Sequence, residues 1–535
     1  ALSGGAANGA FPAGFLFELL SARERALAEV RRTDAPAAQA AELATRFEGV
    51  VGTSVGALLA QLLDVYAIDD VGLSPPVVAA LEACLSEALP PELPYVGPPP
   101  APGCFAAPPP GAFPGGEIIA ALAADPSSRR PQLCALRLLL KEFAYNTEKR
   151  LMCVEEAPVT GLVGMLSSAR PGFIRFDPMT STIIDPLLAN FGPLLNENAL
   201  LRTVVAVDVM QNQTLGLDER ACAGLPARGL GSRGVAEPGS LEYCLSSGAM
   251  ASVVLPLFAR PVRHTWSGLT DGGECSAWLD GGLRSGFPAY RALRLSRPLA
   301  SNARLRVLAL ETTRFDGLPS PRPFTVADVG LNAINQMSSQ LAVDEAIAAQ
   351  RFAEGRREDF TALCQKMVPD GEAPPSLCGR SSSGPLKVAG GLEADETLVL
   401  PVFVPSDAPP ALMAEAGYSF DQYVMRGLFV WGRRAAIARL LGDNVTGGPR
   451  PSLAAQLGWS ELDAHMKAAA AHDAAGGLAA WAAAYAQPEC SHLRRFEAGR
   501  ARILGEVPYC EVLSSQPPTQ PGTPHYFACP AGGAR

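Results

Sequence analysis

The residue pattern best suited to chemistry is a short turn, Gly52-Thr53-Ser54-Val55-Gly56. Residues 47–51 before it have the apolar character of a short strand, and residues 57–63 after it have that of a helix. A serine at a tight strand-to-helix turn exposes its hydroxyl, and flanking glycines relieve the steric cost of that turn. The pattern predicts that Ser54 is the nucleophile of an acyl-transferring hydrolase. The alternative is a turn that contains a serine by chance, because 52 of the 535 residues are glycine.

A second glycine-rich turn, Gly4-Gly5-Ala6, lies at the start of the sequence, and helical periodicity follows over residues 13–31. Such a turn presents successive backbone N–H groups to an anion. In an acyl hydrolase that anion is the oxyanion of the tetrahedral intermediate. The segment is therefore a candidate oxyanion loop, and an ordinary flexible loop is the alternative interpretation.

Asp280 is the candidate acidic partner of the serine. It follows the apolar pair Trp278-Leu279 and precedes Gly281-Gly282, so it lies at the end of a predicted strand. Asp-Gly pairs are also common in surface turns. Asp271 begins the same tripeptide, but it lies in the polar run of residues 267–276, and we therefore favour Asp280.

Taken in order, these three segments resemble the patatin-like phospholipase family. That family pairs an amino-terminal G-G-G-x-x-G loop with a G-x-S-x-G turn and a later D-G-G/A aspartate. Residues 203–208 are similar to its inner strand ending in aspartate, and residues 248–262 to its A-S-x-A-I-P-x-x-F-P-P-V segment. The resemblance extends from residue 2 to about residue 315.

The resemblance implies an α/β fold, with a mostly parallel central sheet flanked by helices and the site at the carboxyl ends of the strands. It implies a dyad in which Ser54 is the nucleophile and Asp280 is the general base and then the general acid. The implied substrates are fatty-acyl esters, above all phospholipids, and no cofactor or metal is implied. The resemblance also implies that the backbone of Gly4, Gly5 and Ala6 forms the oxyanion hole. It implies that Gly52 and Gly56 are the glycines of the nucleophile turn.

Two departures from the family pattern concern this site. Ala6 replaces the third glycine of the oxyanion loop, which adds a methyl group where the backbone must approach closely. After the Asp-Gly-Gly, residues 283–288 keep a proline, Pro288, but lack the usual asparagine, so the support of that loop is in question. A second hypothesis therefore stays open: a patatin-like storage, structural or partner-activated protein with weak activity.

A third hypothesis is an α/β-hydrolase with a Ser-Asp-His triad. Such an enzyme needs a histidine late in the chain, in the order Ser, Asp, His. Several strands also normally precede its serine turn. Here the serine comes early, and no histidine lies in a strand-loop context typical of a triad base, so we favour the dyad. The five histidines are His264, His465, His472, His492 and His525.

The composition is that of a large folded enzyme. Hydrophobic residues make up 48% and charged residues 18%, which excludes a wholly disordered chain. The net charge of −9 and the lack of a basic run argue against nucleic-acid binding. No apolar stretch is long enough to cross a bilayer, so we expect peripheral lipid contact from apolar residues around the site. The sequence does not identify a protein partner. Without a calcium loop of closely spaced carboxylates we expect metal-independent activity.

The twelve cysteines show no C-x-x-C and no Cys/His ligand spacing, so a zinc site is not indicated. Their even number, with several in loop-like sequence, favours disulfides and an extracytoplasmic location. Buried free thiols are the alternative. No signal peptide is recognisable, and we expect a first strand of the sheet to precede residue 1.

Two regions are expected along the chain. Residues 1–315 form the catalytic domain, with a Pro/Gly-rich insertion at about 89–116 that serves as a lid, a partner-binding segment or a plain surface loop. Residues 316–535 form a mainly helical region packed on that core. Helices are predicted over 13–31, 56–66, 76–88, 117–152, 326–367, 419–441 and 454–486, and core strands over 47–51, 203–208 and 304–310.

Overall fold

The structure is a computed structural model, and it describes only part of the chain. The described residues are 1–68, 75–86, 130–140, 153–154, 174–175, 200–209, 211–218, 222, 241–254, 262–264, 276–296, 305–314, 340–349, 351, 387–388, 392–393, 398–409, 422–442 and 451–475. The Pro/Gly-rich insertion and residues 476–535 lie outside them.

The described helices are α1 (Ala10–Thr33), α2 (Ala35–Ala44), α3 (Val55–Tyr66), α4 (Pro75–Ser86), α5 (Arg130–Leu140), α6 (Leu241–Val253), α7 (Ala289–Ser296), α8 (340–349), α9 (Gln422–Leu441), α10 (Leu453–Leu457) and α11 (Asp463–Asp473). Short 3₁₀ turns span Ala6–Gly9 and Gly281–Leu283.

The described strands are β1 (Gly49–Thr53), β2 (Cys153–Val154), β3 (Ile174–Arg175), β4 (Leu201–Asp208), β5 (Gln213–Leu217), β6 (Val262–His264), β7 (Ser276–Asp280), β8 (Arg306–Arg314), β9 (Lys387–Val388), β10 (Leu392–Glu393) and β11 (Leu398–Val404). The predicted strands and the first three predicted helices are confirmed within a few residues.

The first residues of the chain lie between β1 and β8. Leu2 donates its N–H to Val51 O at 2.8 Å and accepts from Thr53 N–H at 3.0 Å. Ser3 N–H donates to Leu310 O at 3.0 Å. Both bridges of Leu2 are parallel, as are the pairs β1–β4 and β8–β11. The N-terminal segment therefore joins these two pairs into a parallel half of the sheet.

The other half of the sheet is antiparallel. Strand β4 pairs antiparallel with β5 and β7, and β7 pairs antiparallel with β6. The connection from β4 to β5 is a tight turn with Asn212 at φ 54°, and so short a connection can join only antiparallel strands. The prediction of a mostly parallel sheet flanked by helices is therefore confirmed only in part, because the sheet is mixed.

Helix α1 lies in the middle of the core. Nearly all of it from Ala10 to Ala28 is buried, as expected for a helix covered on all sides. It packs along α9, and the two backbones cross where a glycine stands on each helix. A Cβ at Gly14 would lie 2.0 Å from Phe429 O, and one at Gly432 would lie 2.0 Å from Phe11 O. Helix α9 of the carboxyl-terminal region is thus packed directly on the helix that follows the glycine-rich turn at Gly4-Gly5-Ala6.

The region after residue 315 contributes to the sheet as well as to the helical layer. Strand β8 looked from the sequence like the final core strand, but β11 pairs with it in parallel. Pro401 lies inside the apolar run of β11, and proline is tolerated only in edge strands or at bulges. Because the run is short and contains a proline, the sequence did not predict a strand here. The predicted helix over 454–486 is also interrupted, because Gly458 adopts φ 81° and ends α10.

Two disulfides are present among the described cysteines, Cys84–Cys134 between α4 and α5 and Cys222–Cys244 at the start of α6. Such bonds are typical of oxidising compartments, which is compatible with the expected extracytoplasmic location. The cysteines in loop-like sequence that motivated the prediction (104, 275, 378, 490, 510 and 529) lie outside the described residues.

Within the described ranges, no helix is long and apolar enough to cross a membrane. The same ranges contain no group of three or more His, Cys, Asp or Glu side chains arranged to hold a metal ion.

Candidate active site

Ser54 occupies a strained turn between β1 and α3. Its φ is 53° and its ψ is −128°, a conformation that side chains rarely adopt and that exposes a nucleophile at the strand end. Backbone atoms lie very close to both glycines of this turn, Gly52 and Gly56. A Cβ at Gly52 would lie 2.2 Å from Gly56 O, and one at Gly56 would lie 2.3 Å from Leu2 O. Both predicted turn glycines are therefore required by contacts at this turn.

Ser252, near the end of α6, fixes this turn through its hydroxyl. The Ser54 N–H donates to Ser252 Oγ at 2.7 Å, and the Ser252 hydroxyl donates to Val205 O at 2.6 Å. Ser252 therefore links the Ser54 turn to β4. Sequence reasoning assigned it no role, and the only signal was its place in the family-like segment of residues 248–262.

Asp280 is brought to Ser54 by the register of β4. Thr53 pairs with Val205, and Asp280 pairs with the next residue, Ala206, so the ends of β1 and β7 meet. The Asp280 carboxylate accepts hydrogen bonds from the Ser54 hydroxyl and from the Gly282 N–H, the latter at 2.7 Å. The two side chains are buried, with Ser54 5% and Asp280 4% exposed.

The environment of Asp280 raises its pKa to about 7. Burial is the main cause, because removal from water disfavours the charged form. The hydrogen bonds from Gly282 and Ser54 act in the opposite direction by stabilising the carboxylate, but they only partly offset burial. A carboxylate that exchanges its proton near neutral pH has the property required of a general base.

The amino-terminal loop runs directly over Ser54. A Cβ at Gly4 would lie 2.9 Å from Ser54 Cβ, so the backbone of this loop touches the serine. The Gly4 N–H donates to Gly286 O at 3.1 Å and is already engaged. The following amides, those of Gly5 and Ala6, make no hydrogen bond within the described part of the chain.

Carbonyl contacts orient those two following amides. Thr312 of β8 donates its hydroxyl to Gly4 O, and the Asn8 N–H donates to Gly5 O at 2.9 Å. In a trans peptide the C=O and the N–H point in opposite directions. Fixing these two carbonyls therefore directs the Gly5 and Ala6 amides to the opposite side. Thr312 is a second residue that the sequence did not reveal, because it lies in a core strand with no motif.

The structure brings together Ser54, Asp280 and the glycine loop, and it leaves the described histidines elsewhere. His465 and His472 are exposed on α11, and His264 lies in β6. Among the described residues, the hydrogen-bond partners of the Asp280 carboxylate are Ser54 and Gly282, with no histidine. His492, His525 and the rival Asp271 lie outside the described residues.

The chain matches the model of a known protein family. The family model described as Patatin-like phospholipase matches residues 1–293, which is more than half of the chain and includes every site residue described above except Thr312. No curated protein matches the chain.

Proposed function

The chain belongs to the patatin-like phospholipase family, and we propose that it is a lipid acyl hydrolase in which Ser54 and Asp280 form the catalytic dyad. The observation that carries this proposal is the hydrogen bond between the Ser54 hydroxyl and the buried Asp280 carboxylate. Serine is a poor nucleophile until a base removes its proton, and Asp280 is the group in contact with that proton.

In the first half of the proposed reaction, Asp280 takes the hydroxyl proton as Ser54 Oγ attacks the ester carbonyl carbon. The amides of Gly5 and Ala6 hold the resulting oxyanion, since the Gly4 amide is engaged by Gly286. Such donors stabilise the transition state by roughly 2.7–4 kcal/mol each. The intermediate collapses, the C–O bond to the alcohol breaks, and the protonated Asp280 gives its proton to that alcohol.

In the second half, Asp280 takes a proton from water as the water oxygen attacks the acyl-enzyme carbonyl. The bond to Ser54 Oγ then breaks, Ser54 recovers its proton from Asp280, and the fatty acid leaves. The pKa of Asp280, about 7, suits a group that must accept and return a proton in each half. The proposed substrates are phospholipids or related acyl esters at a lipid surface.

The test compares four proteins on a short-chain nitrophenyl ester and on phosphatidylcholine vesicles in EDTA. The proteins are the wild type, Ser54→Ala, Asp280→Asn and the control Ser21→Ala. Ser21 is a buried serine that bonds Phe17 O within α1, so its loss tests for general damage from removing a buried hydroxyl. We expect both dyad variants to lose at least about 10³-fold in kcat and the control to stay near the wild type.

A fluorophosphonate probe adds a direct readout of the nucleophile. We expect covalent modification of Ser54 in the wild type, located by mass spectrometry, and strongly reduced modification in Asp280→Asn. An inert wild type whose Ser54 resists the probe contradicts the proposal. The weakly active, partner-activated hypothesis would then replace it.

A further inference from the structure

We propose that Glu345 is a positioning residue of this active site: it holds the loop after Asp280 and, through that loop, the oxyanion loop. Glu345 lies on α8, outside the residues 1–293 that match the family. The inference rests on the proposed function for its catalytic consequence, but its structural part can be tested separately.

The contacts of Glu345 are specific and use both carboxylate oxygens. Ser285 donates its hydroxyl to Glu345 Oε1 at 2.7 Å, and the Phe287 N–H donates to Glu345 Oε2 at 2.7 Å. Ser285 and Phe287 are themselves buried. A carboxylate that accepts two short hydrogen bonds from one buried loop fixes the position of that loop more strongly than neutral partners would.

The loop held in this way continues to the catalytic groups. The carbonyl of Gly286, between the two donors, accepts the hydrogen bond of the Gly4 N–H at 3.1 Å. On its other side, the loop is tied to the turn after the aspartate, because Ser285 N–H donates to Gly281 O at 2.9 Å. Displacement of residues 285–287 would therefore be transmitted to the Asp280 turn and to the oxyanion loop at once.

Apolar packing holds α8 in the position that this contact needs. Ala342 and Ala349 of α8 belong to one buried cluster with Phe287, and helical spacing places residues 342, 345 and 349 on one face. The Phe287 ring also stacks on Phe403 of β11, with ring centroids 6.2 Å apart. Two elements from the region beyond residue 315 thus support this loop.

This arrangement answers a question raised by the sequence. The loop after Asp280 lacks the asparagine that the family uses there, which left its support in question. Instead, the Glu345 carboxylate on α8 accepts hydrogen bonds from two donors of this loop, the Ser285 hydroxyl and the Phe287 N–H. The active site of this chain therefore depends on a residue that the family pattern does not contain.

The experiment uses the full chain and three variants: Glu345→Ala, Glu345→Gln and the control Asp344→Ala. Asp344 is the neighbouring acid on the same helix, is exposed, and accepts only from Gln340 one turn earlier among the contacts of the described chain. Glutamine retains both contacts, because its oxygen accepts from Phe287 N–H and its amide donates to Ser285, whose hydroxyl both donates and accepts. Alanine removes both.

We expect Glu345→Ala to lower kcat by about 10- to 100-fold with little change in KM, because misplacement of catalytic groups acts on the chemical step. Glu345→Gln should recover most of the wild-type kcat, and Asp344→Ala should stay within about twofold. Partial unfolding would also lower the apparent kcat without changing KM, so each rate is normalised to the folded fraction measured by circular dichroism at the assay temperature, which separates positioning from a general structural role.

Hydrogen–deuterium exchange of the peptides covering residues 2–5 and 284–288 provides the readout that does not depend on turnover. We expect faster exchange in both peptides for Glu345→Ala and wild-type exchange for Asp344→Ala. Wild-type exchange in Glu345→Ala overturns the inference, even if the wild type proves inert on every ester. Altered exchange with unchanged kcat in an active enzyme also overturns it.

Discussion

The backbone N–H of Ser54 donates to the hydroxyl of Ser252, 198 residues later in the chain, at 2.7 Å. The same hydroxyl donates to Val205 O on β4. Ser54 has a φ of 53°, and a strained conformation persists only where its surroundings over-determine it. The bond to Ser252 is one of those determinants, and it joins the Ser54 turn to the strand that also positions Asp280.

Replacing Ser252 by alanine should therefore impair both catalysis and stability. The change leaves the Ser54 N–H and the Val205 carbonyl without this partner, at an expected cost of about 1–3 kcal/mol in the free energy of unfolding. We expect kcat to fall by about 10-fold or more, because the nucleophile turn is no longer fixed.

A matched control for Ser252→Ala is Ser452→Ala. Ser452 is another buried serine, whose hydroxyl accepts from Ala455 N–H and caps α10 away from the dyad. Urea unfolding should show comparable destabilisation of the two variants. Ester turnover should show a loss of kcat only for Ser252→Ala. Equal kcat in the two variants would contradict the role given to Ser252.

The rate should depend on the ionisation of Asp280. The carboxylate must be ionised to act as base, and its pKa is raised to about 7. Accordingly, kcat/KM should increase about tenfold per pH unit below pH 7 and level off above it. Burial also raises the pKa of Glu345, to about 6, so the profile should be repeated in Glu345→Gln to separate the two groups. A profile that is flat between pH 5 and 9 would rule out Asp280 as the base.

The same pKa predicts that Asp280 destabilises the fold at neutral and alkaline pH. Its folded-state pKa of about 7 lies above the ordinary value of 3.8, so the folded state binds the proton more tightly than the unfolded state. Stability contributed by this group is therefore lost as pH rises from about 4 to about 7, by on the order of 4 kcal/mol. Asp280→Asn does not titrate and should be more stable than the wild type at pH 8.

Chemical denaturation at several pH values tests this expectation. The stability difference between Asp280→Asn and the wild type should grow between pH 5 and pH 7 and stay constant above pH 8. A difference that is the same at pH 5 and pH 8 would show that Asp280 does not carry a raised pKa in the folded protein.

Two substitutions in the proposed oxyanion loop should differ in their effect on kcat. Gly5 has a φ of 151°, and a Cβ there would lie 2.1 Å from Thr312 Oγ1, so Gly5→Ala should displace the loop and reduce kcat by about 100-fold or more. Ala6→Gly restores the glycine of the family pattern and should leave kcat within a few-fold. Fluorophosphonate labelling rates of Ser54 offer the check, and equal labelling of the two variants would exclude Gly5 from the oxyanion hole.

Much of the site was predictable because its motifs are local. The Gly52–Gly56 turn, the Gly4-Gly5-Ala6 loop and the Asp280 turn each consist of a few consecutive residues whose backbone chemistry restricts the conformations available. Helices such as α1 and α3 follow from periodicity in the same way. Residues such as Ser252 and Glu345 carry no such signal, because a single serine or glutamate in a helix is ordinary until its partner is known.

The sequence by itself determined the local elements, the nucleophile turn, the aspartate turn and the family to which they point, because these depend on neighbouring residues. Only the tertiary structure decided that β4 brings Ser54 and Asp280 together, that the sheet is mixed, and that β11 extends it. It alone decided that burial raises the pKa of Asp280 and that α8 supports the loop beside it. The physical reason is that register, desolvation and buried hydrogen bonds arise between segments far apart in the chain, and no short window of sequence contains both partners.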